Sequence, residues 1–225
     1  VSAVTMDKAV TKRLIREAGL DTTDFLVVHQ LSDLRECAMK FPLFAKPVAE
    51  GTGKGIDQYS RIESGQQLES RCGELLTRYQ QPVLVEEFLP GREFTVGVVG
   101  TAEKAHVIGT MEVEILSGTG GAIYSFETKE KCEQLVRYTA LKDITLRGKV
   151  ETLALEAYVA LECRDAGRVD IRLDASGRPH FMEINVLPGL HPTHSDLPMI
   201  ATQEGLSYAE LIGSIISSAM QRAAK

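Results

Sequence analysis

The chain has 225 residues, 44% of them hydrophobic and 25% charged, enough for one large domain or two small lobes with real cores. Its net charge of -6 excludes a general attraction to nucleic acid or to anionic membrane, and no apolar run reaches the length of a membrane helix. The four cysteines (Cys37, Cys72, Cys132, Cys163) form no Cys-x-x-Cys pair, which points to thiols in a reducing cytoplasm rather than to zinc or disulfides.

Asp7, Lys8, Lys12, Arg13 and Arg16 near the start exclude a signal-peptide core, and a start at Val1 rather than Met is read as the start of an excised piece. Val10, Leu14, Ile15 and Ala18 share one helical face, with Gly19 as its stop. A strand is predicted over Phe25–His29, a helix near Ser32–Met39 and a strand over Leu43–Lys46. A glycine-rich loop follows from Ala49 to Gly55, then a strand at Ile56–Ser60, a helix at Gly65–Tyr79 and a strand at Val83–Glu87. Phe88-Leu89-Pro90-Gly91 is a turn signal. Beyond it Glu93–Val99, Ala105–Thr110 and Glu112–Leu116 suggest successive antiparallel strands, broken at Ser117–Gly121. Leu146, Val150, Leu153, Ala154, Ala157 and Leu161 mark a long helix. Arg168–Asp174 and His180–Asn185 form a hairpin around Ser176-Gly177. The last helix opens on the capping box Ser207–Glu210, with a core stripe of Tyr208, Leu211, Ile212, Ile215, Ile216 and Ala219. Helices and antiparallel strands mixed without a βαβ rhythm imply an α+β fold of two lobes, 1–88 and 89–225, with a small-molecule cleft between them.

Three stretches carry chemistry. Lys46-Pro47, followed by a loop containing Gly51, Gly53 and Gly55, can bring backbone N–H groups to phosphate, although alone it is equally a tight turn with incidental lysines. Glu86 and Glu87 end an apolar strand, with Glu93 beyond the turn; they could read the amine and hydroxyls of a nucleoside, or simply be solvated charge. The hairpin is more specific. Arg168, Asp170 and Arg172 alternate with Val169, Ile171 and Leu173, and in the return strand Phe181, Glu183 and Asn185 share a face with Met182 and Ile184 opposite. A two-residue loop at Ser176-Gly177 would set Asp170 directly across from Glu183, with Cβ atoms about 4.5–5.5 Å apart. Two carboxylates so close repel, and such a pair raises one pKa or needs a cation; a carboxylate–carboxylate–amide set suits Mg²⁺, the alternative being a polar outer sheet face with incidental acids. A three-residue loop with a glycine bulge would instead part the two acids onto opposite faces.

At this point the sequence resembles a known family. Met6-Asp7-Lys8, the Lys46-Pro47 loop with Glu50-Gly51, the stretch Glu86–Thr95, Lys129, Gly167–Asp170 and Glu183-Ile184-Asn185 with Pro188-Gly189 resemble the D-alanine–D-alanine ligase signature of the ATP-grasp superfamily, in order and over almost the whole chain. The resemblance implies an ATP-dependent carboxylate–amine ligase using ATP and two Mg²⁺, with Mn²⁺ as a substitute. Lys8 and Lys46 would contact phosphates, with Lys129 at the γ-phosphate and the backbone of Gly51-Thr52-Gly53 as a lid. Glu86 and the backbone at Glu87 and Leu89 would hold adenine over Met182, with Glu93 on ribose. Asp170, Glu183 and Asn185 would be the metal ligands, and Arg168 with the Gly189 backbone would stabilise the tetrahedral intermediate. His194 and Ser195 would lie in the loop for the second substrate. Partners implied are small amino acids and a further N-terminal domain, with homodimerisation open. Glycines make Glu50–Gly55 and Ser117–Lys129 the segments expected to close over nucleotide. The chain departs from the family at Thr52-Gly53-Lys54, at Glu130 and in a longer loop Leu190–Asp196, all near the expected substrate pocket. A nucleotide-binding module without ligase activity, and a ligase for another amino acid or dipeptide, are the alternatives.

Overall fold

A computed structural model of the chain describes residues 1–51, 53–115 and 136–224. The chain opens with α1 (Ser2–Met6) and α2 (Lys8–Glu17), then β1 (Phe25–Val28), β2 (Leu43–Pro47), β3 (Arg61–Ile62), α3 (Gly65–Tyr79) and β4 (Val83–Glu87). It continues through β5 (Glu93–Val99), β6 (His106–Ile115), β7 (Val136–Ala140), α4 (Ile144–Ala160), β8 (Ala166–Leu173), β9 (Pro179–Asn185), α5 (Asp196–Gln203) and α6 (Tyr208–Ala223). Two antiparallel sheets result, in the orders β1-β4-β2-β3 and β7-β6-β5-β8-β9. The α+β expectation holds. No helix among the described residues is long and apolar enough to cross a membrane.

Alternation along each strand decides what faces the cleft. In the first sheet Leu43, Ala45, Val83 and Val85 pack with Leu68, Cys72 and Leu75 of α3. Lys46 and Glu86 therefore point away from that helix, and the ladder pairs Lys46 with Leu84 and Phe44 with Glu86. In the second sheet Val169, Ile171 and Leu173 join Val150, Ala154 and Tyr158 of α4 in the larger core, which also takes Ile15 from α2. Arg168, Asp170 and Arg172 are left on the other face.

Several local expectations are corrected. The buried face of α2 is Lys8, Ala9, Thr11, Lys12 and Ile15, while Leu14 is exposed, because both ammonium groups find partners inside. Ser32–Met39 is not a full helix; a 3₁₀ helix covers Leu31–Glu36. Ile56–Ser60 is not a strand. Asp57 accepts from the Tyr59 backbone at 2.8 Å and pairs with buried Arg71, which also donates to the Gly55 carbonyl, and so the segment turns. The two strands expected over 105–116 are one, β6, with a bulge where its pairing with β5 shifts beside Gly97. In α6 only Leu211 of the expected stripe is fully buried; Tyr208 and Ile216 are exposed.

The hairpin holds the most consequential correction. Asp174 N donates to the Arg178 carbonyl at 2.9 Å, leaving Ala175, Ser176 and Gly177 as a three-residue loop with Gly177 at φ 83°. The Asp174 carboxylate accepts from Ser176 N at 2.8 Å and Arg178 N at 2.9 Å, which fixes that loop. By itself the loop would separate Asp170 from Glu183. The register then shifts once more: Ile171 pairs with Phe181, but Asp170 pairs with Glu183 and Arg168 with Asn185. Met182 is the extra residue of that bulge. Phe181 consequently enters the core, fully buried, instead of sharing the face of Glu183.

Candidate functional site

One cleft is lined from the first sheet and its loop by Lys8, Phe44, Lys46, Glu50, Gly53 and Lys54, and from the second sheet by Glu93, Thr95, Arg168, Asp170, Met182 and Glu183, with Asp196 at its edge. Met182 and Glu183 both reach it because of the bulge between β8 and β9.

On the side of the first sheet sits a buried charge cluster. Glu86 is fully enclosed, with Lys12 Nζ at 2.8 Å from one carboxylate oxygen and Lys46 Nζ at 2.6 Å from the other. Thr23 Oγ1 donates to it at 2.9 Å, and Lys12 also donates to the Thr22 and Thr23 hydroxyls. Burial alone would raise the Glu86 pKa, but Lys12 and then Lys46 outweigh it and hold the carboxyl at about 2. For Lys46 burial works against the charge, yet Glu86 and Glu183 leave its pKa raised. For Lys8 burial wins over Glu183, and its pKa is lowered. Its ammonium donates to the Glu50 carbonyl at 2.5 Å, tying α2 to the glycine loop. Lys46 is therefore a fixed positive charge facing the cleft. Because the folded-state pKa of Glu86 lies below its ordinary value of 4.5, it adds stability above about pH 4.5 that is lost as pH falls through about 2. Unfolding free energy followed by denaturant titration from pH 5 to pH 2 should fall along that limb, and Glu86→Gln, which has nothing to titrate there, should flatten it. An equally steep limb in the variant would assign the acid sensitivity to other carboxylates.

On the opposite side, Arg168 spans Asp170 with Nε–Oδ1 at 3.0 Å and Nη2–Oδ2 at 2.9 Å, and its Nη1 donates to Asp196. Thr95 Oγ1 donates to Asp170 at 2.7 Å, and Asn185 Nδ2 lies 3.5 Å from the same carboxylate. Arg172 pairs with Glu93 at 3.2 Å. Among the described residues no three His, Cys, Asp or Glu side chains group as a ready metal site. Asp170 opposite Glu183, with Asn185 adjoining, is a two-carboxylate, one-amide oxygen set. It fits a hard divalent cation that completes its sphere with water and phosphate oxygens.

The remaining sequence candidates divide. Glu87 and Leu89 border a second depression beside Phe88 and Pro90 rather than the main cleft. Gly189 packs so closely that a Cβ there would lie 2.6 Å from Ser195 Oγ. His194 lies against His191, ring centroids 4.8 Å apart and ring planes tilted by 37°, in an exposed loop. Thr52, Lys129 and the expected closing segment Ser117–Lys129 lie outside the described residues. Sequence reasoning missed Lys12, Thr95 and Asp196. Lys12 had a signal, since it falls one helical turn after Lys8 on the same face; Asp196 had none, because it meets Arg168 only in three dimensions.

Two antiparallel sheets facing each other across a cleft of lysines and carboxylates define an ATP-grasp domain. The chain belongs to the D-alanine–D-alanine ligase C-terminal family, whose model, described as "D-ala D-ala ligase C-terminus", matches residues 14–217. It is 36% identical to the D-alanine–D-alanine ligase of Bordetella petrii, over 97% of this chain and 65% of that protein. With the enzyme of the same name from Aquifex aeolicus it shares 32%, over 96% of this chain and 70% of that one. Among solved structures it is similar to the VanG D-Ala:D-Ser ligase of Enterococcus faecalis, with TM-score 0.79, 26% identity, and coverage of 96% of this chain and 62% of that one. A D-alanine–D-alanine ligase from Bacillus anthracis complexed with ATP shares the fold at TM-score 0.74 and 23% identity, over 98% of this chain and 67% of that one. The chain thus spans about two thirds of the length of these relatives.

Proposed function

We propose that this chain is the nucleotide-binding and catalytic part of an ATP-dependent carboxylate–amine ligase. The observation that carries the reading is the cleft itself, where Lys46 and Lys8 face the Asp170–Glu183 pair. Lys8 and Lys46 meet the phosphates of ATP, and the Gly51–Gly53 backbone covers them. Phe44 and Met182 supply apolar surface for adenine. Glu86 is engaged by two lysines, so it serves adenine chiefly by holding Lys46, while the Glu93 carboxylate supplies the polar contact to ribose; the Glu87 and Leu89 backbone, beside the adjoining depression, would reach the base only from outside the cleft lining. Asp170, Glu183 and Asn185 hold Mg²⁺, which when bound neutralises phosphate charge. A substrate carboxylate oxygen attacks the γ-phosphorus, ADP departs and an acyl phosphate forms. The amine nitrogen then attacks the acyl carbon, phosphate leaves with its bridging oxygen, and the nitrogen gives up a proton. Positioning and charge neutralisation are the protein's contribution. Arg168 and the Gly189 amide face the oxyanion, where one such donor is typically worth about 10²–10³ in rate. Lys129 is assigned to the γ-phosphate, and His194 with Ser195 to the second substrate.

D-Alanine is the first substrate to test, because the curated relatives are named for it. Calorimetric titration with ATP should show binding with Mg²⁺ and little without it, and D-alanine should stimulate phosphate release. Tight metal-free ATP binding, or none at all, would overturn the reading. Magnesium-dependent binding without phosphate release for any amino-acid pair would favour the second reading, a nucleotide-binding module without ligase activity of its own, which the partial coverage of the relatives supports.

A further inference from the structure

We propose that Asp196 is a positioning residue that keeps Arg168 aimed into the cleft when a divalent cation takes up Asp170. The inference rests on reading Asp170, Glu183 and Asn185 as the cation site. Its motivation is that Arg168 has two carboxylate partners, one of which that reading gives to a cation. Nε and Nη2 are committed to Asp170, and Nη1 to Asp196. All three side chains are largely enclosed, with 15% of Arg168, 15% of Asp170 and 22% of Asp196 exposed. A guanidinium so enclosed must stay compensated when one partner turns elsewhere, and among the described residues Asp196 is the other carboxylate ion-paired with Arg168.

The fold puts Asp196 there by a specific route. Arg168 lies across from Gly97 in the β5–β8 ladder, and Gly97 lies across from Gly109 in the β5–β6 ladder. A Cβ on Gly97 would come within 2.9 Å of Leu197, and one on Gly109 within 2.9 Å of Ile200. The bare glycine pair therefore lets α5 settle close on the sheet, with Leu197 fully buried, and its first residue, Asp196, lands beside Arg168. The loop leading in is closed on itself: Ser195 Oγ accepts from His191 N at 3.0 Å, and Ser195 N donates to the His191 carbonyl at 3.2 Å. An acid in the first turn of a helix also has a plain role, favourable interaction with the helix dipole. That role predicts a change in stability alone, and the two can be separated.

If Asp196 acts through Arg168, Asp196→Asn leaves Arg168 with Asp170 as its remaining carboxylate, and the pair competes with the cation. Affinity of the full chain for Mn²⁺ in the presence of ADP, read by electron paramagnetic resonance, should fall about tenfold, as for other groups that orient a metal ligand. Turnover of ATP should fall with little change in KM for ATP, and Asp196→Glu should recover part of the loss. In an Arg168→Gln background the same Asp196→Asn change should leave Mn²⁺ affinity within about twofold. Should Arg168→Gln not melt cooperatively, Arg168→Lys, which cannot span Asp170 and Asp196 together, serves the same cycle. A tenfold loss that persists in the Arg168 variant would show a simple charge effect and overturn the inference. So would a lowered melting temperature with unchanged Mn²⁺ affinity, the signature of the helix-start role. Failure of the unaltered chain to bind Mn²⁺ with ADP would instead overturn the cation site, and this inference with it.

Discussion

Replacing Glu86 by glutamine is expected to cost about 3–5 kcal/mol of folding stability near neutral pH, the scale set by breaking a buried ion pair from one side. Among the described residues Glu86 is the carboxylate ion-paired with both Lys12 and Lys46, and all three side chains are nearly or fully enclosed. Without it two ammonium groups are left facing each other in the interior. Burial already outweighs Glu86 at Lys12, whose pKa is lowered even with the partner present. Removing Lys12 should therefore be tolerated better than removing Glu86, and Lys12→Met added to Glu86→Gln should restore a good part of the loss. Urea unfolding of the single and double variants reads this as a coupling energy. A loss below about 1 kcal/mol in Glu86→Gln would mean that water or a shifted lysine relieves the pair, and the cluster would then not be the rigid support of Lys46 described above.

Glu183→Gln should do the reverse, harming activity while sparing the fold. Glu183 stands directly across from Asp170, and like charges so placed repel, a repulsion that Arg168 on Asp170 relieves in part. Neutralising Glu183 removes that repulsion from the metal-free protein together with its attraction for Lys8 and Lys46, so the two effects offset and the melting temperature should change little. A cation at phosphate supplies several kcal/mol of charge stabilisation, and losing one of its carboxylates should lower magnesium-dependent ATP turnover about a thousandfold. Melting curves and phosphate release on the same preparations test both halves. Turnover within tenfold of the unaltered chain would remove Glu183 from the cation site. A collapse in melting temperature would make it a structural residue.

The sequence determined the pieces whose signals are local. Period-2 alternation in Arg168–Leu173 placed Asp170 and Arg168 on one face, a 3.6 spacing located the helix at Ile144–Ala160, and the capping box opened the helix at Tyr208. Six motifs in family order were enough to name the fold; of the residues they pointed to, Lys8, Lys46, Glu93, Arg168, Asp170, Met182 and Glu183 line the cleft, while Glu87 and Leu89 border another depression. Register was only half legible. Asp174-Ala175-Ser176-Gly177 carries the marks of a three-residue loop, an acid able to accept from two backbone amides and a glycine for positive φ. Nothing local announced the compensating bulge at Met182, because it arises where Phe181 is drawn into the core, between Ile171 and the backbone at Asp21, while Glu183 must still meet Asp170. The same limit applies to charge. A helix carrying two lysines looks solvated from its own residues, and only the arrival of Glu86 from a strand 74 positions after Lys12 makes burial of Lys12 affordable. The acid of Asp196, too, gained its partner from packing of α5 over two glycines. Local pattern depends on neighbours three or four residues away, which the sequence displays; electrostatic partners and strand register depend on which distant segments meet, and that was decided by the tertiary structure alone.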